Sequence, residues 1–185
     1  MKAGVLALQG DFREHARVLA DAGVSPVEVR TVQELDGVDC LVIPGGESTT
    51  IGKLARAGGI VEPVRERAAE GMPIFGTCAG MIVLAERVEG GESLFGLFDI
   101  TVRRNAYGRQ VESFEADLDV TGIGHPVRGV FIRAPWVQDV GPDVTVLAEH
   151  EGHPVVLEQG NLLVASFHPE LVGETGLHEY LLRKV

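Results

Sequence analysis

Residues 73–84 read PIFGTCAGMIVL, and how the chain passes through them decides the fold. Pro73 opens a short apolar run that ends at Gly76. Cys78 stands between two glycines, and a second apolar segment starts at once. A four- or five-residue apolar run bounded by breakers is the signature of a strand buried on both faces. The longer AGMIVLAERV (79–88) that follows has the length of a helix. A strand that turns sharply into a helix leaves one side chain exposed at the tip, the arrangement of a nucleophile elbow. Glycines two before and two after that residue let strand and helix approach without Cβ clashes. The helix start supplies unpaired N–H groups that suit an anionic sulfur. On its own, GTCAG is short enough to occur as a plain turn.

Upstream, the same alternation repeats. AGVLAL (3–8) reads as a buried strand. FREHARVLADAG (12–23) has helical spacing, with Phe12, Ala16, Leu19 and Ala20 on the buried face and Gly23 as its stop. VEVR (27–30) and DCLVIPGG (39–46) are further strands. Residues 48–57 and 61–69 are helices, the first capped by Ser48 or Thr49. This βα alternation predicts a parallel sheet with helices on both faces. Beyond residue 97 the pattern changes to short extended pieces: DITVRR, QVESFEADL, GVFIRAP, VTVLAEH, PVVLEQ and LLVASF. Gly160-Asn161 marks a hairpin between the last two, and residues 174–184 close the chain with an amphipathic helix. The expected architecture is a three-layer α/β fold in one domain spanning 1–185. Its central sheet is mostly parallel, with antiparallel strands added in the second half.

Composition narrows the function. The chain has 185 residues, 45% apolar and 23% charged, with 24 glycines and a formal net charge of −11. That charge disfavours nucleic acid and anionic membranes as partners. Two cysteines make no disulfide framework, and no apolar stretch reaches signal-peptide or membrane-span length, so a reducing cytoplasm is the expected setting.

A cysteine nucleophile needs a base, and the base an orienting group. Of six histidines, three precede proline, and only His168, in SFHPE, is followed by a carboxylate. A residue before proline favours extended backbone, where side chains i and i+2 point the same way, so Glu170 is expected to hold the imidazole of His168. His125 and His153 read as turn residues, and His15 and His178 as surface residues of helices. Cys40, without flanking glycines, reads as a buried strand cysteine. PGGEST (44–49) follows a strand and precedes a helix. Its amides therefore converge at the carboxyl edge of the sheet, where α/β sites form. It lacks the pattern of a phosphate loop, and no cluster suggests a metal.

Taken in order, PGGESTT, FGTCAG, RRNAYGRQVESFEADL, VFIRAP and SFHPEL resemble the glutaminase subunit of the two-component pyridoxal 5′-phosphate synthase, a branch of the triad-type (class I) glutamine amidotransferases. The resemblance runs from VLALQGDFREH to SFHPEL. It implies a flavodoxin-like class I amidotransferase fold and hydrolysis of L-glutamine without metal or cofactor. It further implies Cys78 as nucleophile, His168 as base and then acid, and Glu170 as its orienting group. Gly46, Glu47, Ser48, Arg104, Ile132 and Arg133 would bind glutamine, and the amides of Gly46 and Ala79 would form the oxyanion hole. Finally, it implies a (β/α)8-barrel synthase subunit that receives the ammonia. Docking of that subunit would reorient the Gly45-Gly46 peptide.

Overall fold

The computed structural model describes residues 1–104 and 113–185. The segment 105–112, which holds most of the RNAYGRQVE stretch, lies outside the described residues. Five strands form the parallel body of a seven-stranded sheet: β1 (Lys2–Leu6), β2 (Ser25–Val29), β3 (Cys40–Ile43), β4 (Ile74–Thr77) and β12 (Leu162–Ala165). β10 (Thr145–His150) and β11 (His153–Gln159) extend it antiparallel, giving the order β10-β11-β12-β4-β3-β1-β2. The β11–β12 turn is the hairpin expected at Gly160-Asn161.

β3, β4 and β12 are buried at every residue because helices cover both faces. The two-residue period of a strand then divides the apolar side chains between two cores. Leu41 and Ile43 pack into one, with Ile51, Ala55 and Val64 from α3 (Ser48–Ala57) and α4 (Val61–Ala69). Val42 and Cys40 pack into the other, with Leu19 from α1 (Phe12–Asp21) and Leu177 and Leu181 from α6 (Gly176–Leu182). Each fully buried leucine or isoleucine adds about 1.5–3 kcal/mol of transfer free energy. Burial lifts the Cys40 thiol to about 12, in keeping with a purely structural cysteine.

Several expectations need correction. The helix after Cys78, α5, spans only Ala79–Leu84. Ala85 turns to φ −58°, ψ 140° and begins a strand, β5 (Ala85–Glu89), which pairs with β6 (Phe98–Arg103) and through it with β9 (Trp136–Val140) in a separate three-stranded sheet. A short helix, α2 (Val32–Asp36), precedes β3, and β7 (Phe114–Leu118) pairs with β8 (Val127–Phe131) alone. On α1 the buried face is made by His15, Val18 and Leu19, while Ala20 is exposed. His15 and His178, expected at the surface, are both fully buried and hydrogen-bond each other across the core. His153 opens β11 and packs on Trp136 rather than lying in a turn. No described helix is long and apolar enough to cross a membrane.

Candidate active site

Cys78 lies between β4 and α5 with φ 48° and ψ −103°, a strained backbone for a residue bearing Cβ. The turn is held from both sides: its N–H donates to Ala165 O at 2.8 Å, and its carbonyl accepts from the Ile82 N–H at 3.2 Å. The flanking glycines are sterically required. A Cβ on Gly76 would stand 2.7 Å from the Gly80 carbonyl carbon, and one on Gly80 would stand 2.1 Å from Ile43 O. The elbow read from GTCAG is therefore present.

His168 is delivered by the segment after β12. A two-bond bridge fixes its backbone to Val130 of β8, with N–H to Val130 O at 2.8 Å and Val130 N–H to His168 O at 3.2 Å. Its Nδ1 lies 2.7 Å from Glu170 Oε1 and 3.4 Å from Asp11 Oδ2. The contact with Glu170 is the expected one, but the route differs. Pro169 is αR rather than extended, and Glu170 starts a 3₁₀ turn (Glu170–Val172) that folds its carboxylate back under the ring. Burial opposes a charge on His168, yet its hydrogen bonds to Cys78 and Glu170 prevail and raise its pKa to about 10. Burial likewise pushes Glu170 upward, against the pull of the imidazolium. Asp11 is also raised by burial, with His168 acting in the opposite sense. Among the described residues, Asp11, His168 and Glu170 are the one group with three potential metal donors close together. The imidazole nitrogen facing both carboxylates is already hydrogen-bonded to Glu170, so the group reads as a device for holding a proton.

The PGGES loop closes over the imidazole. A Cβ on Gly45 would lie 2.2 Å from His168 Cε1, so only glycine fits there. Gly45 O accepts from Asp11 N–H at 3.1 Å, and Glu47 N–H donates to Gln9 Oε1 at 2.7 Å. Gly46, at φ 152°, has no room for a side chain against Gln9. The helix cap is neither Ser48 nor Thr49. Glu47 takes that place, accepting from the N–H groups of Thr49 and Thr50 at 3.0 and 2.8 Å, because a longer side chain can reach back over the first turn. Those bonds depress its pKa to about 2. Arg104 donates to Glu47 Oε1 at 3.2 Å.

A cleft of about 440 Å³ joins these parts. Cys78, His168, Gly46, Glu47, Ser48, Ala79, Arg104, Ile132 and Arg133 line it, while Glu170 sits behind His168. Ile132 presents its carbonyl oxygen 4.0 Å from Cys78 Sγ, and Arg133 follows at a strained φ of 45°. Gln9, Asp11, Ile82 and Leu171 also line the cleft. The sequence reading gave no role to Asp11; its place directly after the first strand, at the sheet's carboxyl edge, was the available signal.

Residues 5–185 match the SNO glutamine amidotransferase family. The chain belongs to that family. Its curated relatives agree. A protein named pyridoxal 5′-phosphate synthase subunit PdxT from Acidothermus cellulolyticus is 56% identical, covering 100% of this chain and 93% of the relative. Another of that name from Streptomyces avermitilis is 59% identical, covering 95% and 89%. A crystal structure described as a glutamine amidotransferase superposes with a TM-score of 0.94 at 51% identity, covering 98% of this chain and 97% of that one. A chain of PurLQS from Thermotoga maritima, at TM-score 0.69 and 19% identity over 99% and 95% of the two chains, shares the fold alone. The SNO glutamine amidotransferase assignment thus rests on the whole length of the chain.

Proposed function

We propose that this SNO family member is the glutaminase subunit of a pyridoxal 5′-phosphate synthase, in vitamin B6 biosynthesis, with Cys78, His168 and Glu170 as its triad. The observation that carries the reading is the 2.7 Å contact from His168 Nδ1 to Glu170. It turns the opposite edge of the imidazole toward Cys78 at the elbow. The thiolate attacks the γ-amide carbon of L-glutamine, and the amides of Ala79 and Gly46 take the developing oxyanion. One such donor is typically worth about 2.7–4 kcal/mol. His168 gives its proton to the departing nitrogen, and ammonia leaves. The imidazole then takes a proton from water, which hydrolyses the γ-glutamyl thioester to glutamate and restores the thiol.

Glu47 and Arg104 offer fixed opposite charges at the cleft, a match for the ammonium and carboxylate of an amino acid. Ser48, Ile132 and Arg133 complete the proposed glutamine pocket. Ammonia freed into neutral water is protonated and no longer nucleophilic, so it must pass directly to the synthase partner. That partner is proposed to be a (β/α)8 barrel in a cytoplasmic hetero-oligomer, combining ammonia with ribose 5-phosphate and glyceraldehyde 3-phosphate. Reorienting the Gly45-Gly46 peptide on docking would require Gly45 O to leave the Asp11 amide.

The test is glutamate release from L-glutamine by the purified chain, by itself and with a pyridoxal 5′-phosphate synthase partner, with Cys78→Ala as blank. Release that rises strongly with the partner and vanishes in the variant is expected. Release indifferent to the partner would point to a different synthase, and none in either case would refute the catalytic reading.

A further inference from the structure

The carboxylate that ends the triad has one oxygen unaccounted for. Glu170 Oε1 is engaged by His168, but Oε2 is buried and lacks a hydrogen bond of good geometry. A buried carboxylate oxygen without a donor is costly. An ionisable nitrogen from another element faces it: His15 Nε2, 3.4 Å away and wholly buried. That same nitrogen lies 3.0 Å from Thr77 Oγ1, on the residue before the nucleophile. On its far side, His15 Nδ1 stands 2.8 Å from His178 Nε2 on α6. Phe75 packs edge-on against both imidazoles and keeps the pair dry.

Counting protons fixes the direction of this chain. Burial, then the nearby His178 and His168, hold His15 neutral, and burial does the same for His178, so each ring carries one N–H. His178 Nδ1 makes no hydrogen bond of good geometry, although the Glu174 backbone nearby favours a proton on this ring. Glu170 decides between the two wirings: with the His178 proton on Nε2, donated to His15 Nδ1, the His15 proton is left for the carboxylate. The His15 proton must then be on Nε2, aimed at Thr77 Oγ1 and Glu170 Oε2. The opposite wiring would set the Nε2 lone pair against an anionic oxygen.

We propose that His15 is a positioning residue of the triad, whose Nε2–H, oriented by His178, holds the inner oxygen of Glu170 so that the outer one faces His168. This rests on the glutaminase reading above, and it extends the site by two buried histidines on α1 and α6. The ionisable groups facing this cluster are Asp11 at the start of α1, His168 and Glu170 after β12, and His178 on α6.

The test compares His15→Leu, which removes the donor, with His15→Gln, whose amide nitrogen can occupy the Nε2 position. In the complete complex with the synthase partner, His15→Leu should lower kcat roughly 10- to 100-fold, as for one charged hydrogen bond, with KM for glutamine within threefold. His15→Gln should recover most of that loss. A second readout needs no turnover: the pH dependence of Cys78 alkylation by iodoacetamide in the folded chain. Weakening Glu170 should move its midpoint upward in His15→Leu and leave it near the wild-type value in His15→Gln. If His15→Leu does not fold, His178→Leu frees the His15 proton to either nitrogen and should produce the same upward movement, smaller in size. Equal impairment of the Leu and Gln variants, or an unmoved alkylation midpoint in folded protein, would overturn the proposal. A wild-type complex that releases no glutamate would instead sink the glutaminase reading, and the alkylation profile would still decide the role of His15.

Discussion

Gly80→Ala is the most informative single change in the elbow, because two large effects oppose each other there. Alanine inside a helix is favoured over glycine by about 1 kcal/mol. At position 80, however, the added Cβ would lie 2.1 Å from Ile43 O, whereas real Cβ contacts scarcely fall below 3.0 Å. The obstacle is strand backbone at the centre of the sheet and cannot swing aside, so α5 must withdraw from β3 by roughly 1 Å. Overpacking of this kind costs about 1–3 kcal/mol, and the net expectation is destabilisation of up to roughly 2 kcal/mol. Catalysis should suffer more. Cys78 is the N-cap of α5 and moves with it, and a 1 Å misplacement of a reacting group can cost about 100-fold. Gly52→Ala is the internal control: on α3, its new Cβ would meet only Arg56 Nη1 at 3.5 Å and Leu94 at 3.7 Å or more. It should gain up to about 1 kcal/mol and keep its activity. Urea midpoints and partner-stimulated glutamate release measure both. A Gly80→Ala protein as stable and as active as Gly52→Ala would refute the steric reasoning.

Two further outcomes are expected. Glu47→Ala removes a cap that serves two N–H groups and should cost about 0.5–2 kcal/mol in a urea melt, while also raising KM for glutamine by releasing Arg104. Stability should also fall on acidification in a window set by the buried histidines. Burial, partly offset by the Glu174 backbone, lowers His178 to about 4 in the folded state from an ordinary 6.5. The unfolded chain therefore binds a proton that the native state refuses. Its contribution is complete above pH 6.5 and is lost as pH falls toward 4. Urea midpoints taken from pH 7.5 to 4 should drop through this window, and drop less in His178→Gln. A flat profile would contradict the burial of an unprotonated pair.

The parallel sheet was legible because its strands are continuous apolar runs closed by Gly or Pro, and the elbow because steric demand writes glycines into the sequence at 76 and 80. Local pattern failed where position is decided by partners distant in the chain. Ala85-Glu86-Arg87-Val88 has good helix formers, yet pairing with β6 makes it a strand. WVQDV follows a proline and shows little alternation, so β9 is visible only through its pairing with β6. Val32–Asp36 is too short for a helical period to register, although Thr31 and Glu34 form a complete capping box. The elbow and the His168–Glu170 pair that make up the proposed triad were readable from GTCAG and HPE. His15 and His178 were not: a polar residue in an amphipathic helix looks exposed until its partner, 163 positions away, is seen beside it.

The backbone angle of Cys78 has a consequence of an evolutionary kind. A non-glycine residue held at φ 48°, ψ −103° costs on the order of 1–3 kcal/mol, and glycine would occupy the same angles with little strain. Selection for glutamine hydrolysis and selection for a sturdy fold therefore pull this position in opposite directions. In a lineage relieved of the reaction but still needing the folded protein, loss of the thiol would meet no resistance from folding. Activity would then vanish before the architecture showed any sign of decay.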